Sequence, residues 1–342
     1  MIFDNLTEQD KNQMTDLLVK AGSKSLAVAD AAQQTLAAAL QVPLREGVLT
    51  GNIISNIFTR DDIKGKSTGE YPIDLYRPDN ASDFRAYVIP NQGRIPERHV
   101  QGDYIKVPAY DIGSSIDFLL RYAEEANWNV VGRAMEVLEA GFTKKMNDDG
   151  WHTLLYAGFD RGILVSDANA AAGQFTKRLI SLMKLGMRRN AGGNSTSLNR
   201  GKLTHLFISP EAMEDIRNWG VDEVDEVTRR DIFVAEDGTY NKIFGVTLVD
   251  LDELGDDQEY QSYYETVVAV GASNSGMASA TDVEIAVGLD LSKNNSFIMP
   301  VREDMVVFND PAMHRQRRFS VYGWASLGFG VLDNTKILIS SL

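Results

Sequence analysis

The clearest hydrophobic pattern in the chain is the β-rich stretch 51–110, which has too few apolar residues to form a hydrophobic core of its own. Apolar and polar positions alternate over 71–75, the run 83–89 is again β-rich, and residues 78–80, Pro-Asp-Asn, supply a turn between them. This pattern predicts a β-hairpin. A two-stranded ribbon is only marginally stable in water without a surface to lie on. We therefore expect an arm that rests on another molecule, most simply a second copy of the protein.

Residues 5–41 have the pattern of two helices. Thr7 can cap the first helix, which extends to Lys20, and Gly22 breaks it. An Ala-rich helix follows, and Pro43 is expected to block its continuation. The apolar face of this second helix is mostly alanine and buries little area. It is interpreted either as an arm or close-packed accessory helix, or as a simple surface helix.

A longer amphipathic pattern covers residues 116–146, where apolar residues recur at steps of three and four. A β-rich run, 104–107, precedes it. Ser114 or Ser115 is a candidate N-cap for this helix, and Gly150 is a candidate end. The pattern predicts one helix about 46 Å long, which we expect to be the backbone of a domain.

The second half of the chain mixes helices and strands without a regular βαβ order. Residues 175–187 predict an amphipathic helix, and residues 203–208 predict a strand. The following segment, 209–211, has the cap, the proline and the acid that open a helix. This mixture favours the α+β class. Further β-rich runs lie at 243–249, 266–270, 283–287, 305–308, 319–327 and 336–339.

Composition narrows the classes of function. The 342 residues include no cysteine, which excludes disulfides and cysteine-ligated metal sites and fits a reducing compartment. No apolar run reaches the roughly 18 residues of a membrane helix, and the N-terminal segment has no signal core. A soluble, non-exported protein with no membrane partner is therefore expected. The net charge of −14 argues against tight, sequence-independent binding to nucleic acid.

Motifs for nucleotide binding and catalysis are present only in part. Residues 65–68, Gly-Lys-Ser-Thr, resemble the end of a phosphate-binding loop, but Arg60 stands where the first glycine belongs. We also expect no strand before this motif and no helix after it. Residues 271–275 lack the last glycine of a nucleophile elbow, and residues 328–333 lack the third glycine of a dinucleotide-binding motif. No enzymatic activity and no cofactor are predicted.

No metal site is predicted, because histidines and carboxylates lack ligand spacing. The acidic runs 222–226 and 250–253, with Asp256 and Asp257 after the second, lack the spacing of the glycine and the terminal glutamate in a calcium loop, so they are interpreted as a solvated face or an intersubunit charge patch. Their candidate counter-charges are Arg229, Arg230, Arg315, Arg317 and Arg318. The histidines lie far apart and are interpreted as surface or core-edge residues: His99, His152, His205 and His314.

Four features follow one another in a characteristic order. A long β-arm, 51–108, leads through residues 107–113 into the long helix. Residues 206–213 form a strand followed by a helix, residues 242–249 a later strand, and residues 319–332 a β-rich C-terminal passage. This order, over most of the chain, resembles that of the major capsid protein of tailed bacteriophages, the Hong-Kong-97-type shell fold, which encapsulin compartments share.

The resemblance implies an α+β fold with five regions. They are an N-terminal helical arm (1–45), an extended β-arm (46–110), a peripheral domain with a spine helix (111–172), an axial domain with part of the peripheral sheet (173–304), and C-terminal strands returning to both sheets (305–342). Some members form covalent crosslinks between a Lys, an Asn and a Glu. Lys64 and Lys66 lie in the arm of this chain, but no position can be matched to the Asn or the Glu, so crosslinking is not carried over. The expected intersubunit contacts are the basic residues of the β-arm, Arg60, Lys64, Lys66, Arg77, Arg85 and Arg94.

The function implied by the resemblance is self-assembly, through hexamers and pentamers, into an icosahedral shell that encloses double-stranded DNA. DNA would be touched non-specifically on the inner face. The chain has no long N-terminal coiled coil, so a separate scaffolding protein is implied; a portal and a decoration protein are further candidate partners. The protein would belong to the virion capsid and assemble in the cytoplasm of a bacterial host. The alternatives are an encapsulin-like compartment and an unrecognised hydrolase or nucleotide-binding enzyme.

Overall fold

The structure is a computed structural model. It describes residues 8–23, 25–50, 53–73, 103–125, 128–171, 173–190, 201–219, 242–275, 284–292 and 296–342. The helices are α1 (Glu8–Ala21), α2 (Leu26–Thr50), α3 (Ile54–Ile57), α4 (Leu120–Glu124), α5 (Trp128–Arg161), α6 (Lys177–Asn190), α7 (Pro210–Asn218) and α8 (Glu259–Ser275).

The strands of the described residues form three sheets. In chain order they are β1 (Thr59–Asp62), β2 (Thr68–Ile73), β3 (Asp103–Pro108), β4 (Tyr110–Leu119), β5 (Leu164–Val165), β6 (His205–Ile208), β7 (Lys242–Ile243), β8 (Val246–Asp250), β9 (Ile285–Leu289), β10 (Phe297–Asn309), β11 (Arg318–Leu327), β12 (Gly330–Val331) and β13 (Ile337–Ser341). The two strands β2 and β3 pair with each other at the base of the predicted arm. The hairpin predicted between them lies outside the described residues.

The chain divides into two compact units, each assembled from three segments. Unit 1 comprises Met1–Gly69, Lys106–Gly150 and Ile298–Gly330. Unit 2 comprises Glu70–Ile105, Trp151–Phe297 and Val331–Leu342.

Unit 1 is built on a sheet with the strand order β1-β10-β11-β4. The pairs β10–β11 and β11–β4 are antiparallel, and β1 is parallel to β10. One face, which we call the covered face, packs on helices. Asn309 of β10 donates to Asp30 of α2 at 3.0 Å. On α5, Phe142 is 1% exposed and lies beside Gly323 of β11. Phe118 and Phe319 meet on the same face with ring centroids 4.9 Å apart.

The predicted helix over 116–146 is wrong at both ends. Residues 116–119 belong to β4, which pairs with β11 along its whole length, from Leu119 opposite Arg318 to Tyr110 opposite Leu327. Ser114 and Ser115 therefore lie in a strand and cap no helix. The short helix α4 follows β4, and the long helix α5 begins only at Trp128 and runs to Arg161, so Gly150 lies inside it.

Close packing explains the glycine at position 150. A Cβ atom placed there would lie 2.7 Å from Cγ2 of Ile54, which is fully buried. The glycine is thus required by contact with α3 and does not end the helix.

The N-terminal helices pack within unit 1. Helix α1 ends before Gly22, as predicted, and the side chain of Gln33 on α2 donates to the carbonyl oxygen of Ala21 at 3.0 Å. A Cβ at Gly22 would lie 2.6 Å from the backbone nitrogen of Glu124, so this glycine lets α1 approach α4. The expectation that Pro43 ends the second helix is wrong, because α2 continues through it to Thr50.

Unit 2 contains a six-stranded mixed sheet with the order β5-β13-β9-β6-β8-β7. Helices α6 and α7 cover one face, in a core that includes Met183, Ile216 and Leu338. The C-terminal part of α5 and helix α8 cover the other face, where the ring of Trp151 lies 4.9 Å from that of Phe207 and 5.8 Å from that of Tyr260.

Two local predictions in unit 2 had opposite outcomes. The predicted helix start is confirmed: Ser209 accepts a hydrogen bond from the backbone N–H of Ala212 at 3.1 Å, with Pro210 in the first turn. The predicted strand at 266–270 is wrong, because these residues lie in α8. Their β-branched side chains favour a strand locally, but burial of Tyr260, Tyr264 and Val268 follows the four-residue step of a helix.

Candidate subunit-interface surfaces

The loop between β1 and β2 presents two of the predicted contact residues. Lys64 and Lys66 lie in this loop, and both side chains are exposed. Gly65 between them has φ +79°, a left-handed conformation that glycine adopts without strain. Two cations therefore project from a tight turn at the edge of unit 1, where a neighbouring molecule has access to them.

The same loop resembled the end of a phosphate-binding loop. The expectation that no strand precedes it is wrong, since β1 ends at Asp62. The strand β2, and not a helix, follows it from Thr68. A phosphate-binding loop needs a helix whose N-terminal N–H groups point at the phosphate. The motif at 65–68 therefore has the wrong structural context for nucleotide binding.

Arg60 is held by its own chain. Its guanidinium lies 2.8 Å from the carboxylate of Asp62 and 2.7 Å from that of Asp304 on β10. Burial alone would lower the pKa of Arg60, but the hydrogen bonds and charges of these two carboxylates raise it above its ordinary value. Arg60 also lines a small, mainly apolar cavity of about 30 Å³ with Phe142 and Met305. The structure thus gives Arg60 a role inside unit 1, and Arg77, Arg85 and Arg94 lie outside the described residues.

The other face of the unit 1 sheet, which we call the open face, carries a cluster that sequence reasoning missed. Phe308, Tyr322 and Trp324 form the aromatic patch. Their ring centroids are 5.6 Å apart for Phe308 and Tyr322, 5.1 Å for Phe308 and Trp324, and 5.9 Å for Tyr322 and Trp324. Phe308 and Trp324 keep 36% and 42% of their surface exposed.

The register of the strands explains why these three side chains meet. Phe308 is opposite Tyr322 across the β10–β11 pair, and Trp324 follows Tyr322 by two residues on the same face. Along β4, the open-face residues Gly113 and Ser115 lie opposite Trp324 and Tyr322 and add little bulk. A sheet face turned to water is normally polar. An aromatic cluster here marks a surface suited to contact with another molecule.

One ion pair at the rim of the open face forms within the chain. Arg318 lies 2.6 Å from the carboxylate of Asp117 across the β11–β4 pair. The pair is half-exposed, so it contributes at most about 1 kcal/mol to stability. Arg229 and Arg230 and the acidic run 222–226 lie outside the described residues.

Among the described residues, His152, His205 and His314 are partly buried, as interpreted from the sequence, and one detail needs correction. His152 lies within α5, where it was expected to follow the long helix, and its ring stacks on Tyr263 with centroids 3.9 Å apart. His205 lies in β6, and burial lowers its pKa, with a smaller contribution from Lys242. His99 lies outside the described residues. Within the described ranges, no group of three or more His, Asp and Glu residues is placed to hold a metal ion.

The acidic segment after β8 forms part of a like-charged cluster in unit 2. Burial raises the pKa of Glu284, and the charges of Glu211, Asp215 and Asp256 raise it further, although Ser209 donates a hydrogen bond to it. Among the described residues, its carboxylates are not placed to hold a metal ion. Over the part of the chain that the structure describes, no helix is long and apolar enough to cross a membrane.

No protein-family model and no curated protein sequence matches the chain. Solved structures do. The capsid of Myoviridae phage XM1 matches with a TM-score of 0.51 at 12% identity, over 84% of this chain and 90% of that chain. A structure from Microbacterium phage Oxtober96 matches with a TM-score of 0.56 at 11% identity, over 85% and 90% of the two chains. A chain of the cyanophage Pam1 capsid matches with a TM-score of 0.54 at 12% identity, over 83% and 88%.

These similarities extend over most of both chains, although only 11–12% of the aligned residues are identical. The similarities are therefore similarities of fold. They define the architecture: the chain has the α+β fold of phage capsid structures, the Hong-Kong-97-type fold. The fold predicted from the order of elements is confirmed.

Proposed function

We propose that this protein is the major capsid protein of a tailed bacteriophage, which assembles with copies of itself into an icosahedral shell around double-stranded DNA. The observation that carries the proposal is the match of fold to phage capsid structures over more than four fifths of the chain. The aromatic patch gives independent support, because an exposed aromatic cluster on a sheet face is a feature of interaction surfaces.

The mechanism of assembly is burial of surfaces that one copy leaves exposed. Each aromatic side chain has a large apolar area, and burial yields roughly 25 cal/mol per Å². Each contact between two subunits is modest by itself. A subunit in a shell makes several contacts at once, and together they stabilise the lattice. A closed shell requires head-to-tail contacts that repeat around rotation axes.

The remaining parts of the proposal follow the same model. Of the predicted β-arm, 46–110, the first part up to β1 packs within unit 1, and the part from β2 to β3 would lie on a neighbouring copy. Unit 1 would correspond to the peripheral domain, and unit 2 to the axial domain. The shell would be built from hexamers and pentamers, with a separate scaffolding protein, a portal and a decoration protein as partners. It would assemble in the cytoplasm of the bacterial host and become the virion capsid. A structural and not a catalytic role is proposed.

An encapsulin-like compartment is the second candidate with this architecture. It would enclose a protein cargo and bind a cargo peptide on its inner face. The structural neighbours described above come from phages, which favours the viral shell. Purified shells that contain one protein cargo and exclude DNA would support the compartment.

Replacing the aromatic patch by serine is expected to block assembly. In the triple variant F308S/Y322S/W324S the side chains point away from the unit 1 core, so the fold should be retained. Buried aromatic residues at interfaces commonly contribute about 2 kcal/mol or more. Loss of three should raise the protein concentration needed for assembly by more than about tenfold. Negative-stain electron microscopy and size-exclusion chromatography measure this, with circular dichroism as the check of fold.

Tyr156→Ser is the matched control, because Tyr156 is 56% exposed on α5 and lies in unit 2. It should assemble like the unmodified protein. If the purified protein forms no shells under any assembly condition, the proposed function fails. If shells form equally well without the aromatic patch, the function stands and the patch is not an interface.

Reversing the charge of the β1–β2 loop is expected to slow assembly. K64E/K66E places two acids at an exposed turn, where the fold does not depend on either side chain. At a contact between oppositely charged surfaces, such a change mainly lowers the rate of association. The decrease is larger at low salt, where the charges are less screened. Light scattering during assembly at two salt concentrations measures the rate. The neutral variant K64Q/K66Q should show a smaller effect, and unchanged rates in both variants would remove these residues from the interface.

A further inference from the structure

Helix α6 has a divided surface. Its apolar residues Leu179, Ile180, Met183 and Met187 are at most 1% exposed and pack into the unit 2 core. The opposite side is exposed and is strongly basic. We call it the basic face of α6, and it consists of Lys177, Arg178, Lys184, Arg188 and Arg189.

The five cations form two adjacent rows along the helix. At about 100° per residue, Lys177, Lys184 and Arg188 lie within about 40° of one another. Arg178 and Arg189 form the second row beside them. The sequence of α6, KRLISLMKLGMRRN, contains no acidic residue. This concentration stands out in a chain with 34 basic and 48 acidic residues.

Helix stability accounts for only part of this pattern. Arg188 and Arg189 lie in the last turn, where cations interact favourably with the helix dipole. Lys177 and Arg178 lie in the first turn, where the dipole favours anions and cations are unfavourable. The helix dipole therefore does not account for these two cations, and both also have a contact within the chain.

All five side chains are exposed, and some of them also have contacts within the described part of the chain. Arg178 has a carboxylate, that of Asp167, at 3.6 Å. Lys184 donates to the carbonyl oxygen of Phe244 at 2.7 Å, which fixes its position without neutralising it. Arg188 and Arg189 are both exposed at the end of the helix.

We propose that the basic face of α6 contacts the phosphate backbone of the enclosed DNA without reading its sequence. This inference rests on the proposed function, since it assigns the DNA contact of the shell to one helix. From Lys177 to Arg188 the helix rises about 16 Å. One DNA strand carries a phosphate for about every 3.4 Å of the duplex axis, so the face covers an axial length that holds about five of them. The acidic remainder of the chain keeps each contact weak, and repetition over many subunits gives the interaction its strength.

The test is the salt dependence of DNA binding by the purified chain. A fluorescent duplex of arbitrary sequence is titrated at several NaCl concentrations and its anisotropy is measured. Each lost phosphate contact reduces the slope of log K against log salt by about 0.9. The variant K177Q/R188Q/R189Q is expected to reduce the slope by about 2 to 3 and the affinity at low salt by more than about tenfold. In the variant R188Q/R189Q, the reduction of the slope should be about two thirds of that in the triple variant.

The control variant is R121Q/R133Q/R217Q, which changes the net charge by the same amount. Each of these arginines already pairs with an acid on or next to its own helix, at 3.7, 3.2 and 3.1 Å. This control variant should leave the slope of log K against log salt unchanged. Equal slopes for the α6 variant and the unmodified chain would overturn the inference, and so would equal losses in the α6 and control variants.

Assembly is scored separately in the same proteins by negative-stain electron microscopy. Shells that form normally with a reduced salt slope support the inference. Loss of shells with an unchanged slope would instead identify the face as a contact between subunits and overturn it. If even the unmodified chain forms no shells, the proposed function fails, while the salt slope still decides whether α6 binds DNA.

Discussion

Gly328→Ala is expected to destabilise unit 1 by about 3 kcal/mol or more, the upper end of the cost of overpacking. A Cβ atom at this position would overlap the carbonyl oxygen of Pro108 and would also lie 3.2 Å from its carbonyl carbon. These are backbone atoms, so no change of rotamer can relieve the clash. At roughly 2–4 °C for each 1 kcal/mol, the melting temperature should fall by about 10 °C. Differential scanning calorimetry of the purified variant measures the shift.

The control for this experiment is Gly113→Ala on β4. A Cβ there would lie 3.6 Å from the carbonyl oxygen of Gly323, an ordinary van der Waals contact. Alanine has less freedom than glycine in the unfolded chain, so this change should be neutral or stabilise by up to about 1 kcal/mol. If the melting temperature of Gly328→Ala lies within about 2 °C of that of Gly113→Ala, the backbone beside Pro108 has room to move.

Asp290→Ala is expected to destabilise unit 2 by about 3–5 kcal/mol, the usual cost of leaving a buried charge without its partner. The Asp290 side chain is 0% exposed, and Lys336 lies 3.1 Å away with 8% of its side chain exposed. Asp290 also accepts hydrogen bonds from the backbone N–H groups of Lys202 and Ser292 at 3.0 and 3.1 Å. Alanine removes all of these acceptors at once. Urea unfolding followed by circular dichroism measures the loss.

A double-mutant cycle separates the ion pair from the other hydrogen bonds. Asn at position 290 keeps an acceptor, and Met at position 336 removes the cation at similar length. D290N/K336M is expected to cost less than the sum of the two single changes, because it leaves no unpaired charge. Additive costs would show that the carboxylate and the ammonium group are not coupled.

The pH dependence of the same variants gives an independent check. Burial alone would raise the pKa of Asp290, but hydrogen bonds from Ser292 and Lys202 and the charge of Lys336 hold it below the ordinary value. The unfolded chain therefore binds more protons than the folded one between the folded pKa and about 3.9. Stability from Asp290 is present above that window and is lost as the pH falls through it. The difference between the unmodified protein and Asp290→Ala should narrow towards low pH.

Much of the fold was predictable because local and tertiary preferences agree. The segment at 209–211 has a cap, a proline and an acid, and the structure begins α7 there. The strand predicted at 319–327 is β11, with Arg318 added, since its alternating pattern matches a sheet with one covered face.

The errors occurred where one pattern satisfies two periods. Ile116, Leu119, Leu120 and Ala123 follow the helical step, but pairing with β11 holds the first two of them in a strand. At 266–268 the β-branched residues favour a strand, but the packing of Tyr260 and Tyr264 requires a helix. Tertiary contacts decide both cases, and they are not visible in a window of sequence.

The candidate surfaces were harder to predict than the fold. Tyr322 and Trp324 are visibly two residues apart, but which side of the sheet is covered depends on where α2 and α5 pack. The structure shows both on the open face, with Phe308 added by strand register. The cations of α6 have a visible helical period, and the only further information needed was that Leu179 and Met183 face the core.

The position of β13 has a consequence for synthesis on the ribosome. This strand lies between β5 and β9, and Ile337, Leu338 and Ile339 are at most 1% exposed. The sheet of unit 2 therefore stays open until translation has passed these residues, however early the preceding strands emerge. A prematurely terminated polypeptide would lack an interior strand and expose two unpaired edges. Polypeptides that end before Ile337 would therefore be unable to complete this sheet, so the fold itself discriminates against incomplete chains.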